Sequence, residues 1–336
     1  MIGRFISLAA IATFAVSGPL RQPATAGSIR SASVDIAFAS RRDGNWEIHV
    51  MDEAGRNQRR LTRRNVEDRF PLWSPDRRQI AFCSLVAGTW ELWVMDSDGT
   101  RQRRLASHIV VKSTRGWSPD GKRIAFSAVA GKNVDLYTVN VLSGQITRLT
   151  SSAGEDRDPS WSPAGTRLAF SSTRDGAPQV YVIHADGRGE QRLTNDTPSA
   201  ETPRWSPDGR TILFVSNRDL YVIGADGQHL RQLTSGAHVT RDPPLWSPDG
   251  TRIAFQIAEG ENYDIGLMRV ADGVRSPLAN AAGYDGSYTW SEDGKRVAFV
   301  SARDGFDAIY VVHADTRHSV RLTTTASLTP AWGSQR

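Results

Sequence analysis

Short apolar runs alternate with clusters of turn residues along most of the chain. Runs such as LAFSS at 168–172 and QVYVI at 179–183 are rich in Ile, Val, Phe and Tyr, and Gly, Pro, Asp or Ser separates each from the next. These runs are too short for helices, so they predict β-strands. Residues 27–336 show no long amphipathic helical pattern. The pattern predicts an all-β fold.

The strands recur with a nearly fixed period. A tryptophan followed by serine stands at Trp73, Trp117, Trp161, Trp205, Trp246 and Trp290, with a degenerate copy at Trp332. The first six are spaced by 44, 44, 44, 41 and 44 residues. An SPDG-like turn follows the tryptophan, in which proline presets φ, aspartate caps the backbone and glycine accepts positive φ. Four short strands in each such period predict the blades of a β-propeller.

The two ends of the chain complete one another. In each period, the strand that ends in the tryptophan is followed by a second strand. The first copy of this second strand, Ile36-Ala37-Phe38, has no tryptophan-containing strand before it, and the last tryptophan-containing strand, ending at Trp332, has no second strand after it. Joining these halves gives seven four-stranded blades and leaves no open sheet edge. We therefore predict a linker at 27–33 and a single propeller domain at 34–336, with each tryptophan packed between adjacent blades.

The units PSWSPAGTRLAFSSTRDGAPQVYVIHADGRGEQRLT (159–194) and PRWSPDGRTILFVSNRDLYVIGADGQHLRQLT (203–234) resemble the WD40-like repeats of TolB-type propellers. The resemblance covers roughly residues 34 to 332. It implies the propeller alone, because TolB proteins carry an α/β domain before a six-bladed ring. Similar blades occur in periplasmic binding proteins, in propellers attached to peptidases and in polysaccharide lyases, so the resemblance does not decide function.

Residues 1–26 have the pattern of a secretory signal peptide. A positive start is followed by an apolar run from Phe5 to Val16 and by Ala24-Thr25-Ala26, the small-x-small pattern before a cleavage site. We predict cleavage before Gly27, a periplasmic or secreted protein, and no transmembrane segment in the mature chain.

Charge argues against nucleic acid as a partner. Removing residues 1–26 takes away Arg4 and Arg21 and no acid, so 41 basic residues become 39 against 36 acidic ones, a net charge of +3. The arginines are spread along the chain and form no basic stripe. The single cysteine, Cys83, can form no internal disulfide. We predict no nucleic-acid binding and no cofactor.

The sequence leaves enzymatic activity open, although we favour a non-enzymatic protein. No G-x-S-x-G elbow of the hydrolase type is present. His108 and His238 lie eight or nine residues before a tryptophan, where two histidines make a weak metal pattern. We predict no catalytic residue and no metal site. The alternative is a carbohydrate-active enzyme similar to a polyuronide lyase or a glycoside hydrolase.

Charged residues precede the tryptophan strands, and proline stands two positions before five of the tryptophans. Segments that enter the inner strands should converge on one mouth of the central channel, and they differ between blades in length and charge. As ligand contacts we predict Asp68, Asp156, Glu201, Asp242, Asp285, Arg115, Arg157 and Arg241. The alternative is that they are solvated loop charges. We expect a monomer that binds a protein or peptide partner in the cell envelope.

Overall fold

A computed structural model describes residues 35–108, 116–195, 197–240 and 242–333. Within these ranges the chain forms 28 strands and no helix, so the predicted all-β fold is confirmed. No helix of the described part is long and apolar enough to cross a membrane. All strand pairs within the sheets are antiparallel.

The strand bounds follow the predicted repeat. In chain order they are β1 Asp35–Ser40, β2 Glu47–Asp52, β3 Arg59–Arg60, β4 Glu67–Trp73, β5 Gln79–Val86, β6 Thr89–Asp96, β7 Arg103–Ser107, β8 Gly116–Trp117, β9 Arg123–Ala130, β10 Asn133–Asn140, β11 Ile146–Arg148, β12 Asp156–Trp161, β13 Arg167–Ser172, β14 Gln179–His184, β15 Gln191–Arg192, β16 Glu201–Trp205, β17 Thr211–Ser216, β18 Asp219–Gly224, β19 Arg231–Gln232, β20 Leu245–Trp246, β21 Arg252–Glu259, β22 Asn262–Arg269, β23 Arg275–Ala279, β24 Asp285–Trp290, β25 Arg296–Ser301, β26 Ala308–His313, β27 Ser319–Arg321 and β28 Ser327–Trp332.

Seven four-stranded sheets form the blades. Blade 1 has the order β28-β1-β2-β3, so the last strand of the chain supplies the inner strand of the first blade. In β28 and β1, Trp332 is paired with Ile36 and Ser327 with Ser40. Blades 2 to 7 use consecutive strands, from β4–β7 through β24–β27. The predicted seven-bladed ring, closed by the two terminal segments, is confirmed.

The hydrophobic core lies between the blades. One phenylalanine in the second strand of each blade is at most 2% exposed: Phe38, Phe82, Phe126, Phe170, Phe214, Phe255 and Phe299. The clusters join neighbouring sheets, as where Ile36 of blade 1 packs in one cluster with Ile309 of blade 7. A single blade therefore cannot bury its faces alone, and the ring is the stable unit.

The tryptophans link neighbouring blades, as predicted. In four of them the indole Nε1–H donates to the carbonyl of the residue just before the preceding blade's tryptophan. These hydrogen bonds are Trp117 to Leu72, Trp161 to Gly116, Trp246 to Arg204 and Trp290 to Leu245, at 3.2, 3.1, 3.4 and 3.3 Å. An arginine of the preceding blade covers a ring face of Trp161, Trp205, Trp290 and Trp332, as Arg123 does over Trp161, with 4.8 Å from the guanidinium carbon to the ring centre.

The SPDG turn is closed by its own side chains. Ser206 Oγ donates to Asp208 Oδ1 at 2.6 Å, and the main-chain N–H of Arg210 donates to the same oxygen at 3.0 Å. These hydrogen bonds hold the pKa of Asp208 below its ordinary 3.8. Gly209 has φ of 69°, the left-handed conformation that favours glycine.

Candidate functional site

The inner strands surround a cavity of about 520 Å³ on the axis of the ring. Side chains from all seven blades line it. They are Phe70, Pro71, Leu72, Trp73, Pro75, Gly116, Trp117, Pro119, Pro159, Ser160, Trp161, Arg204, Leu245, Ser287, Tyr288, Thr329 and Pro330. The lining is mostly apolar, and Arg204 is the one charged side chain among the described residues that line it. A concave, largely apolar space with few polar groups is typical of a ligand site.

A bulge in the inner strands shapes the wall of this cavity. Three positions before the tryptophan, five blades place a non-glycine residue in the left-handed region among the described residues: Phe70, Asp158, Thr202, Ser287 and Thr329, with φ between 48° and 57°. Strand pairing shifts register at the same place in blades 2, 4, 5 and 7. Left-handed backbone costs such residues about 1–2 kcal/mol each.

Proline follows the left-handed residue in four of these five bulges. Pro71, Pro159 and Pro330 line the cavity directly. A bulge re-aims the side chains after it, and proline, whose φ is fixed, stiffens the strand at this point. The proline spacing was visible in the sequence. The bulge was not predicted, because an extra residue breaks the alternation from which strand faces are inferred.

Arg204 lies on β16, directly before Trp205, and its Nη1 donates to the Pro203 carbonyl at 2.8 Å. Burial lowers the pKa of Arg204, and the negative charge of Asp158 opposes that shift. Tyr288, on β24, also lines the cavity and donates its hydroxyl to the Pro243 carbonyl at 3.0 Å. Burial raises the pKa of Tyr288 well above 10, so this phenol is neutral at physiological pH.

Three of the predicted acidic contacts lie inside the blades. Asp68, Asp156 and Asp285 are fully buried and lie in strands β4, β12 and β24. The expectation that they are exposed loop charges is therefore wrong, because each faces into its own sheet. The same position in blade 1 is occupied by Ser327 and in blade 5 by Ala200.

Each of these aspartates is paired with an arginine that reaches over the end of the blade. The pairs are Arg64 with Asp68 at 2.6 Å, Arg174 with Asp156 at 3.0 Å and Arg303 with Asp285 at 3.3 Å. The arginine also donates to a serine at the end of the second strand, as Arg174 Nε does to Ser172 Oγ at 2.8 Å. We call this arrangement of arginine, aspartate and serine the blade brace.

Aromatic rings form the floor of each blade brace. The guanidinium carbon of Arg174 lies 4.5 Å from the ring centre of Tyr181, and that of Arg64 lies 3.9 Å from Trp93. Burial outweighs the attraction of Arg64 and raises the pKa of Asp68. The arginine comes from the hairpin after the second strand in blades 4 and 7 and from the segment before the inner strand in blade 2, so sequence alignment of the repeats does not reveal the shared arrangement.

The remaining predicted contacts are only partly accessible or lie outside the described residues. Glu201, Asp242 and Arg157 are half-buried. Arg157 Nε donates to Glu155 at 2.8 Å. Burial raises the pKa of Asp242, against the hydrogen bond from the Ser287 N–H at 3.4 Å. Arg115 and Arg241 lie outside the described residues. The described acids thus form no exposed ring, and a ligand role for any of the eight residues stays a prediction.

The two histidines that suggested a metal have main-chain roles. His108 and His238 have φ of 59° and 54°, and their carbonyls accept hydrogen bonds from Val129 and Ala258 at 3.1 and 3.0 Å. Among the residues that the structure describes, no three His, Cys, Asp or Glu side chains come together as ligands of a metal ion would.

Comparisons with known proteins find the same architecture. The family model of the TolB β-propeller domain matches residues 105–243 and 217–334. TolB from Acinetobacter baumannii is similar at a TM-score of 0.61 and 19% identity, over 90% of this chain and 67% of that one. A TolB-like protein from Agrobacterium tumefaciens gives 0.55 and 22%, over 75% and 90%. An oligogalacturonate lyase in complex with manganese gives 0.67 and 16%, over 84% and 86%. No match was found among curated proteins.

Proposed function

The chain belongs to the TolB β-propeller domain family, and on that premise we propose that it is an exported, non-enzymatic scaffold that binds a peptide segment of a protein partner in the cell envelope. The axial cavity carries this proposal. Its volume of about 520 Å³ and its apolar wall suit a few extended residues.

The residues of the cavity wall indicate which groups of a peptide segment they can contact. Apolar side chains can pack against Phe70, the prolines and the tryptophan edges, where water is displaced from apolar surface. Arg204 supplies a cation for a peptide carbonyl or carboxylate. Because the bulged inner strands are fixed by proline and by inter-blade hydrogen bonds, the partner meets a preformed surface, which reduces the entropic cost of binding. Of the predicted charged contacts that the structure describes, Glu201, Asp242 and Arg157 are those that a partner at the mouth could reach.

Binding at the cavity is tested by capture from envelope extract. We expect the wild-type protein to retain a partner, and Arg204→Gln to weaken its binding by about tenfold or more, since a charge-assisted hydrogen bond contributes about 1.5–3 kcal/mol. Arg210→Gln is the matched control, because this arginine is in the same blade and its side chain is 85% exposed on the outer turn. Equal capture by wild type and Arg204→Gln, with unchanged melting of both, would place the binding surface elsewhere.

An envelope location rests on the predicted signal peptide. We propose that the mature protein begins at Gly27 in the periplasm or outside the cell. Amino-terminal sequencing of protein from the envelope fraction should start at or within a few residues of Gly27. An intact amino terminus in cytoplasmic protein would contradict export.

The alternative, a polyuronide lyase-like enzyme, is supported by similarity to the oligogalacturonate lyase fold. At 16% identity that similarity shows the fold alone, and the described residues offer no metal donor set. Metal analysis of the purified protein together with an assay on polyuronides separates the two proposals. Stoichiometric metal with turnover would replace the scaffold by the enzyme.

A further inference from the structure

Blade 1 carries a blade brace that lacks its carboxylate. Arg42 stands where Arg174 and Arg303 stand in blades 4 and 7, two residues after the serine that ends the second strand. Its Nε donates to Ser40 Oγ at 3.3 Å, and its guanidinium carbon lies 5.6 Å from the centre of Phe38. These are the serine and ring contacts of the brace.

Serine replaces the aspartate of this brace. Ser327 occupies the position of Asp156 and Asp285, five residues before the inner-strand tryptophan. Its hydroxyl donates to the Thr325 carbonyl at 2.9 Å, and its oxygen lies 3.3 Å from Ser40 Oγ, so its hydrogen-bond partners are these two groups and not the arginine. Within the described residues no carboxylate lies within 4.0 Å of the Arg42 nitrogens. Burial lowers the pKa of Arg42, with Asp43 acting in the opposite direction.

A cavity opens beside this arginine at the junction of blades 7 and 1. It has a volume of about 380 Å³ and is lined by Arg41, Arg42, Phe306, Thr324, Thr325 and Ala326. Two arginines and no acid thus face one space. The adjacent carboxylate, Asp43, lies 3.4 Å from Arg60 and 3.6 Å from His49, so it is engaged on the other side.

We propose that this cavity binds a small organic carboxylate, whose oxygens pair with the guanidinium of Arg42 as the inner-strand aspartate does in blades 2, 4 and 7. Arg41 adds a second positive charge at the rim. Thr324 and Thr325 line the space with hydroxyl groups, and Phe306 provides an apolar face for the body of the ligand. The size is that of a single small molecule, and the site is separate from the axial cavity.

The repeat supplies the reason for choosing a carboxylate over other anions. In three blades of the same protein, an arginine with the same serine and aromatic neighbours is paired with a carboxylate at 2.6–3.3 Å. Planar guanidinium groups match the two oxygens of a carboxylate. In blade 1, Ser327 stands in place of the aspartate, and a cavity lies beside Arg42. This arginine is therefore positioned to pair with the carboxylate of a ligand.

Calorimetric titration of the purified protein at pH 7 and constant ionic strength tests the proposal. The probes are benzoate, acetate, benzamide and inorganic phosphate, each raised to about 20 mM, a range that detects millimolar dissociation constants. We expect benzoate to bind, acetate to bind more weakly, and the neutral benzamide to be at least tenfold weaker than benzoate. Arg42→Gln should lower benzoate affinity at least tenfold.

Ser327→Asp is the decisive variant because it restores the brace from within. It should abolish benzoate binding while the melting temperature stays equal or rises. Lys122→Gln, on an exposed turn of blade 3, is the control that should bind as the wild type does. The proposal is overturned if neither carboxylate binds, if phosphate binds more tightly than benzoate, or if Arg42→Gln retains wild-type affinity. Should Ser327→Asp fail to fold, Arg42→Gln and benzamide decide alone.

Discussion

At the level of single residues, the tryptophans of the inner strands contact the preceding blade in two ways. Trp161 shows both: its indole N–H donates to the Gly116 carbonyl, and its ring is covered by Arg123. Trp161 and Trp205 have the same surroundings, with arginine carbons 4.8 and 5.0 Å from the ring centres and exposures of 9% and 7%. They differ at the indole nitrogen, because the Nε1 of Trp205 is buried without a partner.

This difference allows the hydrogen bond to be measured against a matched residue. Trp161→Phe removes the bond to the Gly116 carbonyl at 3.1 Å, whereas Trp205→Phe removes none. Both lose similar ring area, so the free energy of unfolding should fall by about 1 kcal/mol more for Trp161→Phe. Urea denaturation of the two variants measures the difference. Equal losses would show that the indole bond contributes nothing to holding blades together.

At the level of elements, the inner strand carries both an exposed and a buried ion pair. In β12, Arg157 pairs with Glu155 at the surface, while the neighbouring Asp156 points into the blade and meets Arg174. The bulge that follows them changes the alternation along the strand. Adjacent charges of one short strand thus have different roles, one solvated and one structural.

Removing the two arginines separately should show this contrast. Arg174→Ala leaves Asp156 buried without its cation and should lower the free energy of unfolding by about 3–5 kcal/mol. Arg157→Ala removes a surface pair and should lower it by at most about 1 kcal/mol. Similar losses in urea melts of both variants would contradict a structural role for Asp156.

The sequence predicted the strands and turns better than it predicted which charged side chains are buried and paired. The tryptophan period and the SPDG turns depend on local residue preferences, which are visible in one unit and reinforced by seven copies. Whether Asp156 faces solvent or the sheet depends on the bulge after it and on an arginine eighteen residues later. In blade 2 the equivalent arginine, Arg64, comes from before the strand, so no fixed spacing could have predicted the pair.

At the level of the whole molecule, the ring is closed by pairing β28 with β1. Trp332 is 5% exposed and belongs to the cluster that joins blades 7 and 1. The orphan segments at the two ends of the repeat were enough to predict this closure. The cavity beside Arg42, where we propose carboxylate binding, was not predicted. It depends on the absence from blade 1 of the inner-strand aspartate that blades 2, 4 and 7 have.

Deleting residues 327–336 from the chain that starts at Gly27 should lower the melting temperature by more than about 10 °C. The deletion exposes the inner edge of β1 and removes a buried tryptophan, which alone contributes about 3–5 kcal/mol. The control places residues 327–332 before residue 35 through an SPDG turn, so that blade 1 becomes continuous, and it should melt as the full chain does. A truncated chain with an unchanged melting curve, by calorimetry, would show that closure does not stabilise the ring.

Closure by the last strand also sets the order of events during biosynthesis. β1 leaves the ribosome first, yet the strand that pairs with its inner edge is made only after residues 41–326. Chains emerge at about 5–20 residues per second, so β1 waits tens of seconds with an open edge that can pair with another chain. A chain that ends before Ser327 can complete six of the sheets, whereas the sheet of β1 keeps an open inner edge. Synthesis of β28, and not the folding of any one blade, is therefore the step that allows the ring to close.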